Sequence, residues 1–143
     1  MSHDIYLHYA SKWSRLLSMR DDPPARRSCC PVSCTLDILG DRWTLLVVRD
    51  LFRGVDRFSG FASSPEGIAS NILTDRLEML AEHGLIEKYV PEGRRHARYR
   101  LTAKGLTLGP VLRSVAEWGL THLPGTEAKL APLPDALTTR SED

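Results

Sequence analysis

The stretch GIASNILTDRLEMLAEHGLIEKYVPEGRRHARYRLTAKG, Gly67 to Gly105, decides the fold. Within it Leu73, Leu77 and Leu80 recur at i, i+4 and i+7, the inward stripe of a helix predicted from about Ala69 to His83 and closed by Gly84. Ser70, Asn71, Thr74, Asp75 and Glu78 then point away from the core. After Gly84, Leu85 to Val90 reads as a strand, Pro91-Glu92-Gly93 as a turn, and Ala97 to Leu101 as a returning strand with alternating side chains. This hairpin is basic. From Glu87 to Lys104 six bases (Lys88, Arg94, Arg95, Arg98, Arg100, Lys104) face two acids (Glu87, Glu92), although the whole chain, with 19 Lys+Arg and 18 Asp+Glu, carries a formal charge of only +1.

Upstream, Val32, Leu36 and Leu39 give a short helix stopped by Gly40. Asp41 can cap a second helix bearing Trp43, Leu46, Val47 and Leu51 before Gly54. Arg57 to Ser63 makes a helical turn or two, and Ser64-Pro65-Glu66-Gly67-Ile68 enforces a turn into the helix already described. Downstream, Thr102 is predicted to cap one long helix with the apolar face Leu108, Val111, Leu112, Val115, Trp118 and Leu123, in which Pro110 predicts a kink or a late start. The expected fold is mainly α with a small β-hairpin (α+β): a winged helix-turn-helix with flanking dimerisation helices.

With 143 residues, 42% of them apolar, one domain with a real core is expected. Residues 1–28, which break at Asp22-Pro23-Pro24, read as an N-terminal extension and linker, 29–123 as the winged domain with its dimerisation helix, and 124–143 as a flexible tail. Met19 is a second candidate start. The longest aliphatic runs, such as Leu45 to Val48, fall far short of the ~18 residues of a membrane span, and no secretory leader is legible. A cytoplasmic protein without a membrane partner is expected.

A helix-turn-helix lays its second helix in the major groove with the early residues on base edges. Ser70, Asn71, Thr74 and Asp75 are the candidate readers: Asn suits adenine, a Thr methyl packs on thymine, and a carboxylate accepts from cytosine. Arg76, beside the inward stripe, is kept as a phosphate or structural residue. In the wing, Arg94, Arg95 and His96 at the tip and Arg98 and Arg100 on one face of the returning strand are candidate phosphate ligands; the blander reading is a solvated charged hairpin. A palindromic operator in double-stranded DNA, with half-sites ~34–36 Å apart, calls for a two-fold homodimer. The last helix offers the interface through Leu108, Val111, Leu112, Val115, Trp118 and Leu123, with Tyr6 and Trp13 beside it. A second class of function is a winged protein-interaction module whose basic wing binds an acidic partner. A third possibility is a regulator controlled by a small ligand near the dimer helices.

Several segments resemble the HxlR-type winged-helix transcriptional regulators, relatives of the MarR group. They are Cys30-Pro31-Val32, Leu36-Asp37-Ile38-Leu39-Gly40-Asp41-Arg42-Trp43-Thr44-Leu45-Leu46, Arg57-Phe58-Ser59, Gly67-Ile68, Leu73-Thr74-Asp75-Arg76-Leu77, His83-Gly84-Leu85-Ile86, Tyr99-Arg100-Leu101-Thr102-Ala103-Lys104-Gly105 and Glu117-Trp118-Gly119. The resemblance covers about residues 30–119 and implies a dimeric, sequence-specific DNA-binding regulator, usually a repressor and sometimes an activator, acting on nearby genes. Two departures stand out. Ala69 occupies a place where the family often has a capping Ser, so the cap must shift to Ser70 or be lost, and the wing lacks the family's common Pro-rich form.

By the same resemblance, Cys30 stands where some members sense oxidants or electrophiles. The residues add that Pro31 suits a first helical position, which puts Cys30 at the N-cap, where the dipole and nearby Arg26 and Arg27 favour a thiolate. The alternative is a small packed residue. Cys34, one turn on, is expected to be buried. Adjacent Cys29 and Cys30 could form only a strained disulfide, which makes an inter-subunit bond the better redox option. The three cysteines and five histidines lack metal-ligand spacing. With no HExxH, Gly-rich phosphate loop or GxSxG in the chain, neither cofactor nor catalysis is expected.

Overall fold

Eight elements follow one another along residues 26–127, the part of the chain that the structure, a computed structural model, describes. They are α1 (Pro31–Leu39), α2 (Thr44–Phe52), α3 (Phe58–Ala62), α4 (Ser70–Glu82), β1 (Ile86–Tyr89), β2 (Arg98–Leu101), α5 (Ala103–Leu106) and α6 (Gly109–His122). The chain divides into two compact units, Met1–Asp37 and Ile38–Asp143. The helices and the antiparallel hairpin expected from the sequence are present, and the fold is a winged helix. Tyr6, Trp13 and residues 128–143 of the expected tail lie outside the described residues.

In the second unit the core gathers Val47, Val48 and Leu51 of α2, Phe61 of α3, Leu73, Leu77 and Leu80 of α4, and Leu85 and Ile86 at the start of the hairpin. Each such aliphatic side chain contributes about 1.5–3 kcal/mol on burial. The leucine stripe of α4 therefore faces inward as its spacing predicts. Asp41 accepts from the amides of Trp43 (2.8 Å) and Thr44 (3.0 Å) and from the Thr44 hydroxyl, which caps the entry to α2. Burial works against the charge on Asp41, but the Thr44 hydroxyl, the two amides and Arg76 together hold its carboxyl below the usual range.

The hairpin pairs Ile86 with Leu101, Glu87 with Arg100, Lys88 with Tyr99 and Tyr89 with Arg98. Ile86, Tyr99 and Leu101 pack on the core, so alternation sends Glu87, Tyr89, Arg98 and Arg100 to the opposite face. The Tyr99 amide also donates to the Asp56 carbonyl (2.9 Å), which ties the wing to the loop before α3.

The end of α4 is closed from both sides of the chain. Gly84 takes φ +69°, its amide reaches Ala81 (2.9 Å) and that of Leu85 reaches Leu80 (2.9 Å), a Schellman stop. Two further carbonyls are taken from beyond the wing: Lys104 Nζ donates to His83 (2.7 Å) and the Thr102 hydroxyl to Gly84 (2.5 Å). Gly105 is required beneath this cluster, since a Cβ there would come within 1.9 Å of the Leu85 carbonyl oxygen.

Two expectations are corrected. The single long helix after Thr102 is two: Thr102 caps only α5, accepting from the Gly105 amide (3.0 Å), and Pro110, lacking an N–H, sits in the first turn of α6, where none is needed. Leu112 is buried in its own chain and Leu108 packs on that chain's core, so the α6 face left for a partner is narrower than the sequence suggests; Val111, Val115, Trp118 and Leu123 are exposed, joined by Leu120. On α1, only Leu39 of the apolar triplet is buried, while Val32 and Leu36 face outward.

Candidate nucleic-acid interface

The outer face of α4 carries Ser70, Asn71, Thr74, Asp75 and Glu78, all exposed. Ala69 stands at the N-cap in extended conformation and makes no side-chain capping bond; Ser70 is already helical, so the cap is lost rather than shifted. Four early amides of α4 are thus left with fewer partners than a Ser cap would give them. The Thr74 hydroxyl donates to the Ser70 carbonyl (2.9 Å), and what it presents outward is its methyl and an acceptor oxygen. Asn71 makes no side-chain bond among the described residues, which leaves its amide donors and acceptor open.

The helix is held in place by an ion-pair frame that the sequence reading missed. Arg49 of α2, with a side chain only 13% exposed, donates through Nη1 and Nη2 to both oxygens of Glu66 (2.6 and 3.0 Å), to Ser64 Oγ (3.0 Å) and through Nε to the buried Asp50 (3.0 Å). The bidentate Arg49 contact, aided by Ser64, holds the Glu66 carboxyl down to about 2, and the same contact raises Arg49. This clamp fixes the Ser64–Gly67 turn that launches α4. Opposite it, Arg76 Nε lies 3.5 Å from Asp41 and ties α4 to the start of α2. Arg76 thus sits in the frame, half-buried, and not on the outer face.

The wing separates into paired and open cations. Arg98 is 18% exposed and bonds Asp56 at 2.5 Å, and Arg100 bonds Glu87 at 2.8 Å while stacking over the Tyr89 ring at 4.4 Å. Both are on the expected face, but each charge is answered within the chain. At the tip, Gly93 takes φ +71°, the Arg94 amide closes the turn on Pro91 (3.0 Å), and Arg94, Arg95 and His96 are exposed with no ion pair among the described residues.

Cys30 is exposed at the head of α1. Its carbonyl accepts from Cys34 (3.0 Å), as an N-cap does, and its amide donates to Ser28 Oγ (3.0 Å). Arg27, expected to act on this thiol, pairs instead with Asp37. Cys34 is half-buried rather than buried, with its Sγ 3.2 Å from the Ser28 carbonyl. All three cysteines are free thiols. No helix among the described residues is long and apolar enough to cross a membrane.

A clamped helix with a polar outer face, beside a hairpin with an open basic tip, defines the class of winged helix-turn-helix transcriptional regulators. Residues 38–127 match the HxlR-like helix-turn-helix family, and the chain belongs to it. Among its relatives is the uncharacterized HTH-type transcriptional regulator sll1512 of Synechocystis sp., 36% identical over 91 residues, which are 63% of this chain and 67% of that one. Another is Mb3122 of Mycobacterium bovis, 40% identical over 98 residues, 67% of this chain and 61% of that one. The chain thus matches about two thirds of the length of these relatives. Among solved structures, that of PA1607 is similar at a TM-score of 0.66 and 38% identity, covering 76% of this chain and 82% of that one. The redox regulator HypR in its oxidized form is similar at 0.59 and 30%, covering 64% and 96%.

Proposed function

We propose that this HTH-type transcriptional regulator is a sequence-specific repressor that binds a palindromic operator in double-stranded DNA as a homodimer in the cytoplasm. The observation that carries this reading is the joint exposure of Asn71 and Thr74 on α4 and of Arg94, Arg95 and His96 at the wing tip. In this reading α4 enters the major groove and Ser70, Asn71, Thr74 and Asp75 meet base edges. The wing tip neutralises phosphates, Arg100 keeps part of its reach, and Arg98 and Arg76 position the wing and α4. The exposed strip Val111, Val115, Trp118 and Leu123 on α6 supports the two-fold contact. Residues 29–123 form the working domain and 124–143 a tail.

Cys30 supplies the switch in this proposal. It is exposed at a helix N-cap, and the similar protein HypR is a redox regulator. In this proposal a peroxide takes two electrons and two protons from the Cys30 thiols of the two subunits, leaving an inter-subunit disulfide and water, or water and an alcohol, and that bond would change the spacing of the two reading helices. The test is fluorescence anisotropy of the reduced chain on its own upstream intergenic DNA with excess nonspecific competitor, repeated after mild thiol oxidation. Competitor-resistant binding that is lost on oxidation supports the whole reading; no such binding in either state contradicts it. Asp75 and Glu78 on the same face favour one second reading, a protein-interaction module, for which binding would lack any sequence preference.

A further inference from the structure

We propose that Arg57 and Lys88 hold a DNA backbone phosphate between α3 and the inner face of the hairpin, a second backbone contact besides the wing tip. A cavity of about 460 Å3 opens there, with Arg57, Ser59, Lys88 and His96 on its walls beside the rings of Phe58 and Tyr99. No carboxylate lines it.

The charges of the fold divide by whether an acid answers them. Arg49, Arg76, Arg98 and Arg100 each pair with a carboxylate of this chain. Arg57 and Lys88 are exposed and have no ion-pair partner among the described residues, although Asp56 directly precedes Arg57. Arg98 takes that carboxylate at 2.5 Å, which leaves the charge of Arg57 for a ligand. Two cations and a histidine gathered round one cavity without an acid repel one another, and an anion seated between them relieves that repulsion. The Ser59 hydroxyl is a further donor of the kind that phosphate oxygens accept from.

The place of the seat selects a DNA strand as its occupant. Lys88 pairs with Tyr99 in the hairpin, and Tyr99 packs on the core, so Lys88 stands on the inner face of the wing. It also lines a smaller cavity of about 270 Å3 that Thr74 of α4 borders. At the other end His96 adjoins the open tip residues Arg94 and Arg95. The seat therefore lies between the outer face of α4 and the wing tip, on the path of a strand whose groove holds α4. That path rests on the function proposed above, whereas the affinity for backbone phosphate does not. An acidic protein segment would meet the same cations but would leave this continuity with α4 and the tip unused. Glu78 lines only the smaller cavity, and its charge keeps the backbone out of that end.

The test is fluorescence anisotropy of the full chain on a random-sequence duplex across a salt series, with a urea midpoint for each variant. Arg57→Gln and Lys88→Gln should each lower the slope of log K against log salt by about 1 and weaken binding roughly eightfold near 0.1 M salt, at an unchanged urea midpoint. Lys88→Arg, which keeps the charge, should keep the parent's slope. Inorganic phosphate and a polyglutamate peptide, compared with chloride at equal ionic strength, should not displace the duplex. An unchanged slope in Arg57→Gln or Lys88→Gln, a loss in Lys88→Arg equal to that in Lys88→Gln, or displacement by either anion would overturn the proposal. Because the duplex carries no operator, a chain that reads no sequence would still show these slopes, so failure here is separate from failure of operator binding.

Discussion

Arg49 and Glu66 join end to end, the two terminal guanidinium nitrogens each donating to one carboxylate oxygen at 2.6 and 3.0 Å, across 17 residues of sequence. Through this pair the second helix of the core dictates where the turn before α4 lies. Glu66 titrates near 2 when folded against 4.5 for the free side chain. A carboxylate lowered in this way stabilises the fold fully above pH 4.5 and loses that contribution as the pH falls toward 2. Glu66→Gln should cost about 1 kcal/mol at pH 7, since the pair is partly exposed, and less at pH 3. Urea denaturation of both proteins at the two pH values measures this.

The uncapped start of α4 offers a gain. Ala69 already has the extended backbone of an N-cap, so Ala69→Ser needs only to present its hydroxyl to the early amides. An increase in stability of about 0.5–2 kcal/mol is expected. Thermal unfolding followed by circular dichroism gives the sign directly.

Paired and open cations of the wing should respond differently. Arg94→Gln and Arg95→Gln are expected to leave stability unchanged and to reduce DNA affinity, each lowering the slope of log K against log salt by about 1. Arg98→Gln removes the partner of Asp56 at 2.5 Å and should destabilise the wing by about 1–3 kcal/mol with a smaller change in that slope. Urea midpoints and anisotropy across a salt series separate the two patterns.

Trp118 is 61% exposed on α6, with its ring beside that of His122, ring centres 5.0 Å apart. Trp118→Glu should therefore leave the monomer fold intact. In the dimer proposed here it places a charge in an apolar contact, and sedimentation equilibrium at micromolar concentration should show the dimer weakened by tenfold or more, about 1.4 kcal/mol.

The strength of local patterns decided how much could be read beforehand. The α4 stripe Leu73, Leu77, Leu80 and the basic hairpin were legible because helical and strand periods are written in consecutive residues. Asp41 capping was legible for the same reason. The Arg49–Glu66 clamp was not, since 17 residues separate the partners and only the packed fold brings them together. The wing arginines looked equivalent in sequence, and pairing with Asp56 and Glu87 distinguishes two of them from the tip. Pro110 signalled a break in the last helix but not that it would fall between α5 and α6. The stripe of the last helix puts Leu112 with the dimer face, whereas Leu112 is buried in its own chain, because a helical stripe does not say which of two neighbours covers it.

In the function proposed here, α4 reads bases while the wing tip holds phosphates. Its most direct test compares affinity for the operator and for random DNA in the parent, in Asn71→Ala with Thr74→Ala, and in Arg94→Gln with Arg95→Gln. The α4 variant should lose about 1–3 kcal/mol of operator preference per base contact while its affinity for random DNA and its salt slope stay as in the parent. The wing variant should weaken on both DNAs alike. An α4 variant that keeps the parent's operator preference would show that Asn71 and Thr74 do not read bases.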